Sequence, residues 1–140
     1  MLNQLNFLNF NKHGDDRGSL VSLEIGPDKL IPFEIKRVYY IYRTQQDVVR
    51  GKHAHKNLKQ VVFAINGSCS MLLDDGVCNQ VVDLNDPTKG LLIENNIWRE
   101  IFNFSDDCIL LVLASNHYDE DDYIRSYDKF LEYKFDDIYS

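Results

Sequence analysis

Rhythm restricts this chain more than any other feature. Short runs rich in Val, Ile, Leu, Phe and Tyr recur at intervals of about ten residues, each closed by turn chemistry, as in an antiparallel sandwich or barrel. The runs are SLVSLEI from Ser19, FEIKRVYYIY from Phe33, LKQVVFAI from Leu58, SCSMLL from Ser68, VCNQVVDL from Val77, GLLIE from Gly90, IWREIFNF from Ile97 and CILLVLAS from Cys108. Between them stand GPDK, Asn66-Gly67, the DDG of Asp74 to Gly76, NDPTKG and SDD, which supply the positive-φ and proline-set positions of tight hairpins. No repeat, linker or low-complexity tract interrupts the pattern. The 140 residues are therefore expected to form one all-β domain over 1–140, large enough for a core that needs no metal or disulfide.

The tail changes period. In DEDDYIRSYDKFLEYKF, from Asp119, the residues Tyr123, Tyr127, Phe130 and Leu131 recur at helical spacing. The acids Asp119 to Asp122 precede them, where a helix dipole favours negative charge. A short C-terminal helix is expected on the outside of the sheets, its aromatic stripe serving packing.

A formal charge of -7 argues against a nucleic-acid or anionic-membrane partner. The acidity is uneven, however. Lys36, Arg37, Arg43, Arg50, Lys52, Lys56 and Lys59 are seven of the 15 basic residues and are opposed in that segment only by Asp47. This local reversal suits a small anionic ligand. The arginines are its best ligands, because a planar fork grips a phosphate at two points, whereas the lysines read as a solvated face. The 3 cysteines, Cys69, Cys78 and Cys108, lack metal-ligand spacing and are expected as buried free thiols. The opening residues lack the pattern of a signal peptide, and no apolar run approaches about 18 residues, so a cytoplasmic, soluble protein is expected.

Two of the 4 histidines stand one residue apart in RGKHAHKNLKQ. On a strand, His53 and His55 point to one face, with Ala54 turned away. Imidazole gives and takes protons near neutrality, so a pair beside arginines points to acid–base work. On the preceding strand Arg37, Tyr39, Ile41 and Arg43 share one face. Tyr39 offers a hydroxyl to a substrate oxygen, while Tyr40 and Tyr42, on the other face with Val38, are expected in the core. His13 and His117 lack such company and are expected at the surface.

The spacing HxHxxxxQxxxxxxG, from His53 through Gln60 to Gly67, resembles the first motif of the cupin superfamily, which implies a jelly-roll or β-barrel fold. Gln60 stands where that motif usually carries Glu. GLLIENNIWREIFNF resembles the second motif, but Arg99 replaces its histidine and Asn95 or Asn96 its proline. A metal-dependent cupin would lose two ligands by these changes, and a guanidinium repels a divalent ion, so no bound metal is expected.

DRGSL, IKRVYYIY, RGKHAHKNLKQ, NGSCSMLLDDG, GLLIENNIW and LVLASNHYDEDDYIRSYDKF together resemble the sugar 3,4-ketoisomerases that act on dTDP-4-oxo-6-deoxyglucose. The resemblance runs from about Asp16 to Phe130. It implies isomerisation of the 4-oxo to a 3-oxo sugar on the route to 3-amino-3,6-dideoxyhexoses of bacterial surface polysaccharides, a site without cofactor, and a dimer exchanging N-terminal strands. It also implies His53 as the main acid–base residue, His55 as second proton handler and Tyr39 near the transferring oxygens. Arg43 and Gln60 would meet the substrate, Arg17 and Arg50 the pyrophosphate, and Trp98 the nucleotide. The competing expectations are a nucleotide-sugar 3,5-epimerase, a non-catalytic cupin that binds a sugar nucleotide, and, third, a metal-dependent oxygenase.

Overall fold

The computed structural model describes residues 6–139, with side chains described through residue 136. Its strands are β1 (Phe7–Asn9), β2 (Lys12–Asp15), β3 (Gly18–Val21), β4 (Arg37–Tyr42), β5 (Arg50–His55), β6 (Gln60–Asn66), β7 (Cys69–Asp74), β8 (Asn79–Leu84), β9 (Lys89–Ile93), β10 (Trp98–Phe102), β11 (Ile109–Ala114) and β12 (Tyr123–Ile124), followed by helix α1 (Tyr127–Tyr139). They form two five-stranded antiparallel sheets, ordered β1-β9-β6-β11-β4 and β12-β5-β10-β7-β8, while β2 and β3 pair with each other as a separate hairpin. This is the all-β barrel with a short C-terminal helix that the rhythm and the first-motif spacing led one to expect.

The main core lies between the sheets, where Val62, Leu91, Leu110 and Val112 meet Met71, Leu73, Val82 and Ile101. Strand β6 is buried on both faces for its first five residues, which explains its unbroken apolar run. Its second face is covered by the segment before β4, where Ile31, Phe33 and Ile35 pack on Val61, Phe63 and Leu113. On the far side of the barrel, Phe130 of α1 is fully buried against Ala54, Trp98 and Ile124.

Four sequence expectations change. Phe33–Ile35 covers a sheet instead of extending β4, which begins at Arg37. Tyr40 and Tyr42 are not core: they are 63% and 56% exposed, because β4 is the edge of its sheet and the covering segment leaves their face bare. The acids Asp119 to Asp122 do not start α1. Asp119 instead caps a single 3-10 turn over Glu120–Asp122, Tyr123 enters β12, and the helix begins at Tyr127. Finally, Cys69 and Cys108 are buried but Cys78 is exposed, in the turn between β7 and β8. Local pattern did not place strands β1, β2 and β12, since a run of two to four residues is too short to show a period. Among the described residues no helix is long and apolar enough to cross a membrane.

Candidate active site

Between the two sheets lies a cavity of about 510 Å³, lined by Arg37 and Tyr39 of β4, Arg50 and His53 of β5, Gln60 of β6, Arg99 of β10, and Tyr123 and Arg125. That volume is within the range of sites for small organic ligands.

A bulge in β5 aims His53. Arg99 pairs with His53 but the next residue, Glu100, pairs with Gly51, leaving Lys52 as an extra residue. Gly51 and Lys52 adopt positive φ, +85° and 54°. A Cβ on Gly51 would come within 3.1 Å of the Arg99 carbonyl, so only glycine passes here without strain. The bulge also brings the Gly51 carbonyl within 3.0 Å of His53 Nδ1. A carbonyl only accepts, so Nδ1 carries the hydrogen and Nε2 keeps the lone pair of a base.

Arg99 is 2% exposed and pairs with no carboxylate among the described residues. Its Nη1 donates a short hydrogen bond to Gln60 Oε1 and its Nη2 donates to the Ile97 carbonyl at 3.0 Å. With Oε1 so committed, Gln60 Nε2 donates to the Tyr39 hydroxyl oxygen at 2.9 Å. The phenol hydrogen remains for another acceptor. Burial raises the Tyr39 pKa, so the phenol stays protonated at neutral pH.

Burial, seconded by the Arg99 charge, lowers His53 to about 4 and His55 to about 2. Both rings are neutral at physiological pH. Arg99 is itself lowered by burial to about 10 and remains a cation. The residues at the cupin metal positions do not fit a divalent ion. Gln60 and Arg99 are locked to each other, and no group of three or more His, Cys, Asp or Glu is arranged to hold a metal among the described residues.

The structure brings together His53, Tyr39, Gln60 and Arg50 of the residues nominated by sequence. His55 touches His53, ring centroids 4.8 Å apart, but is 1% exposed and does not line this cavity. Arg43 lies past the end of β4 with φ 56°, which breaks the alternation that would have placed it beside Tyr39, and its guanidinium sits over the Tyr42 ring. Trp98 faces the helix: it packs on Tyr127 and Phe130, and its indole N–H donates to Glu100 at 3.0 Å. It is 5% exposed and does not line this cavity. Arg17 is in the exposed β2–β3 hairpin and pairs with Asp15.

Sequence reasoning missed two lining residues, Tyr123 and Arg125, and read Arg37 only as one of several anion-binding arginines. Arg37 stands between the Tyr39 and Tyr118 rings with Nε and Nη2 unpartnered among the described residues, groups ready for a ligand's acceptor. Arg125 lies 4.2 Å over Tyr123 and makes two hydrogen bonds to Glu120, at 2.7 and 2.9 Å. Only the shared face of Arg37 and Tyr39 was visible in sequence. Tyr123 was hidden because its segment reads as helix, whereas its pairing with His55 makes it a strand residue.

The lowered histidines make stability depend on pH. An unfolded histidine binds its proton near 6.5, the folded His53 only near 4, so between these values the unfolded chain holds more protons. Stability is full above about pH 6.5 and falls on acidification toward 4. Urea midpoints should decline from pH 7 to about 5.5, a range above the ordinary carboxylates, and the decline should be shallower in His53→Gln. A midpoint constant over that range would contradict buried neutral imidazoles.

Residues 3–135 match the family model described as FdtA: WxcM-like, C-terminal. The chain is 52% identical over 126 residues to a TDP-4-oxo-6-deoxy-alpha-D-glucose-3,4-oxoisomerase from Aneurinibacillus thermoaerophilus, covering 90% of this chain and 89% of that one. A 3,4-ketoisomerase from Helicobacter canadensis has a crystal structure 51% identical in sequence, with TM-score 0.88 over 93% of this chain and 96% of its own. A mutant of the 3,4-ketoisomerase QdtA from Thermoanaerobacterium thermosaccharolyticum, in complex with TDP-4-keto-6-deoxyglucose, is 43% identical, with TM-score 0.91 over 97% of each chain. With the barrel, the bulged histidine strand and these matches in agreement, the chain belongs to the FdtA family, among the sugar 3,4-ketoisomerases of cupin-like fold.

Proposed function

We propose that this enzyme isomerises dTDP-4-oxo-6-deoxyglucose to a dTDP-3-oxo-6-deoxyhexose through an enediolate, with His53 Nε2 as the base. The observation that carries the assignment is the Gly51 carbonyl on His53 Nδ1, which leaves a neutral, lone-pair nitrogen beside a buried cation. The C4 carbonyl acidifies the hydrogen on C3. His53 removes it, the C3–C4 double bond forms, and negative charge develops on O4, where the Arg99 field and the Tyr39 O–H stabilise it. Tyr39 gives its proton to O4 and recovers one from O3, while His53 returns its proton to C4. Every group ends as it began, so the cycle uses no redox cofactor.

The same geometry supplies a reason for glutamine at position 60. An amide accepts from Arg99 and at the same time donates to Tyr39. A carboxylate only accepts, and would turn the Tyr39 O–H toward itself and away from the sugar.

The finer parts of the reading concern assembly and context. Residues Lys12 to Leu20 are exposed throughout, and their hairpin pairs with no other strand among the described residues. Val38, Tyr40 and Tyr42 form a bare apolar face on β4, 55%, 63% and 56% exposed. Both features support a homodimer in which the N-terminal region is exchanged, and in which Arg17 joins the partner's Arg50 at the pyrophosphate. The acid surface and the sugar-nucleotide chemistry fit a cytoplasmic enzyme on the route to the 3-amino-3,6-dideoxyhexoses of surface polysaccharide such as O-antigen, with no nucleic acid or membrane as partner.

Incubating the 4-oxo sugar nucleotide with the enzyme in deuterated water should give a 3-oxo product by NMR, with no deuterium at C5. His53→Gln should lower turnover by about 10²–10⁴. Deuterium entering C5 would instead indicate an epimerase, and undiminished turnover would remove His53 as the base. Gln60→Glu should lower kcat by at least about tenfold, the scale of one hydrogen-bond donor lost from the transition state, and an unchanged kcat would sever Gln60 from the phenol. Sedimentation should give a dimer that Tyr40→Asp with Tyr42→Asp converts to monomer. A wild-type monomer would remove the exchange.

A further inference from the structure

Asp122 joins the turn after β5 to the segment entering β12. Its carboxylate is 8% exposed and accepts from the N–H groups of Asn57 at 2.8 Å and Leu58 at 3.3 Å. The same carboxylate lies 3.1 Å from His55 Nδ1, and the Lys56 N–H donates to the Asp122 carbonyl at 3.0 Å. His55 is held neutral by burial, so its Nδ1 carries the only ring hydrogen and gives it to Asp122. Its Nε2 is left as a lone pair without a partner among the described residues.

His55 stands behind the main cavity. With Asp122 and Tyr123 it lines a second cavity of about 340 Å³, and Tyr123 lines both. The wall between the two cavities is thus made of three rings: His55 to Tyr123 at 4.4 Å, His53 to Tyr123 at 5.0 Å and His53 to His55 at 4.8 Å. The base rests on two rings, one of which is oriented by Asp122. Nothing in the sequence distinguishes Asp122 from the three acids before it.

We propose that Asp122 is a positioning residue for the isomerisation, fixing the tautomer and rotation of His55 and, through that ring, the aim of His53 at the substrate. The proposal rests on His53 as the base. Asp122 touches neither the main cavity nor the reacting atoms, so its effect falls on kcat and leaves ligand affinity alone.

Asp122→Asn keeps an oxygen for the turn N–H groups but offers His55 an amide in place of a charge. Turnover should fall about 10- to 100-fold, the usual loss when a histidine's orienting partner is removed, with KM changed by less than about twofold. Imidazole ¹⁵N correlation spectra should show the His55 tautomer altered. Adding His55→Gln should make Asp122→Asn no slower than His55→Gln alone, since both remove one coupled unit. Unchanged kcat, a loss confined to KM, or full additivity in the double variant would each overturn the proposal. Should Asp122→Asn fail to fold, His55→Gln decides: it still donates an N–H to Asp122, so kcat loss at an unchanged thermal midpoint supports positioning, and full activity refutes it. His53→Gln, run in parallel, separates the two readings, because undiminished turnover there removes the base itself whatever Asp122 does.

Discussion

Arg99 carries a positive charge into the barrel interior, 2% exposed and with no carboxylate across from it among the described residues. Removing an ion from water without a counter-charge costs several kcal/mol even after relaxation, as an order of magnitude. The surroundings offset part of that cost through the Ile97 carbonyl and the Gln60 amide oxygen. The remainder is available to an anion that appears in the cavity only during reaction. An enediolate is such an anion, and a cation poised in a water-poor site before the charge forms lowers the barrier without reorganising. The guanidinium therefore matters less as a contact than as a field.

That field orders its neighbours. It helps to hold His53 and His55 neutral, which is the state a base must start in. It fixes which way the Gln60 amide faces and, through that amide, which hydrogen of the Tyr39 phenol network stays free. The backbone supplies the complementary constraint. Arg99 reaches the interior because β10 is held on both sides, by β5 and by β7, and the bulge at Gly51 and Lys52 falls opposite Arg99 and Glu100. The irregularity that admits the guanidinium beside His53 is the same one that presents a carbonyl to the imidazole.

Much of this was legible from the residues. The β rhythm and the first-motif spacing gave the fold, because alternation and turn chemistry are local properties. The pair His53 and His55 and the face shared by Arg37 and Tyr39 were readable for the same reason. Arg43 escaped the rule because a positive φ at the strand end, invisible in composition, rotates it away. That α1 packs on Trp98 was not readable, because aromatic character does not say which element will cover a ring. Asp122 escaped because four acids in a row look like the solvated start of a helix, and only the pairing of Tyr123 with His55 turns one of them inward.

The sequence by itself determined the longer strands of the barrel, the side-chain chemistry available to each strand face, and the presence of Arg99 where the resembled motif carries a histidine. These follow from neighbours along the chain, where geometry repeats every two residues. Tertiary structure alone decided that Tyr40 and Tyr42 lie bare, that His55 stands behind His53, and that Arg99, Gln60 and Tyr39 form one hydrogen-bonded line. Burial and partnership depend on which surface covers a face and on the register between strands far apart in sequence, and no local period encodes either.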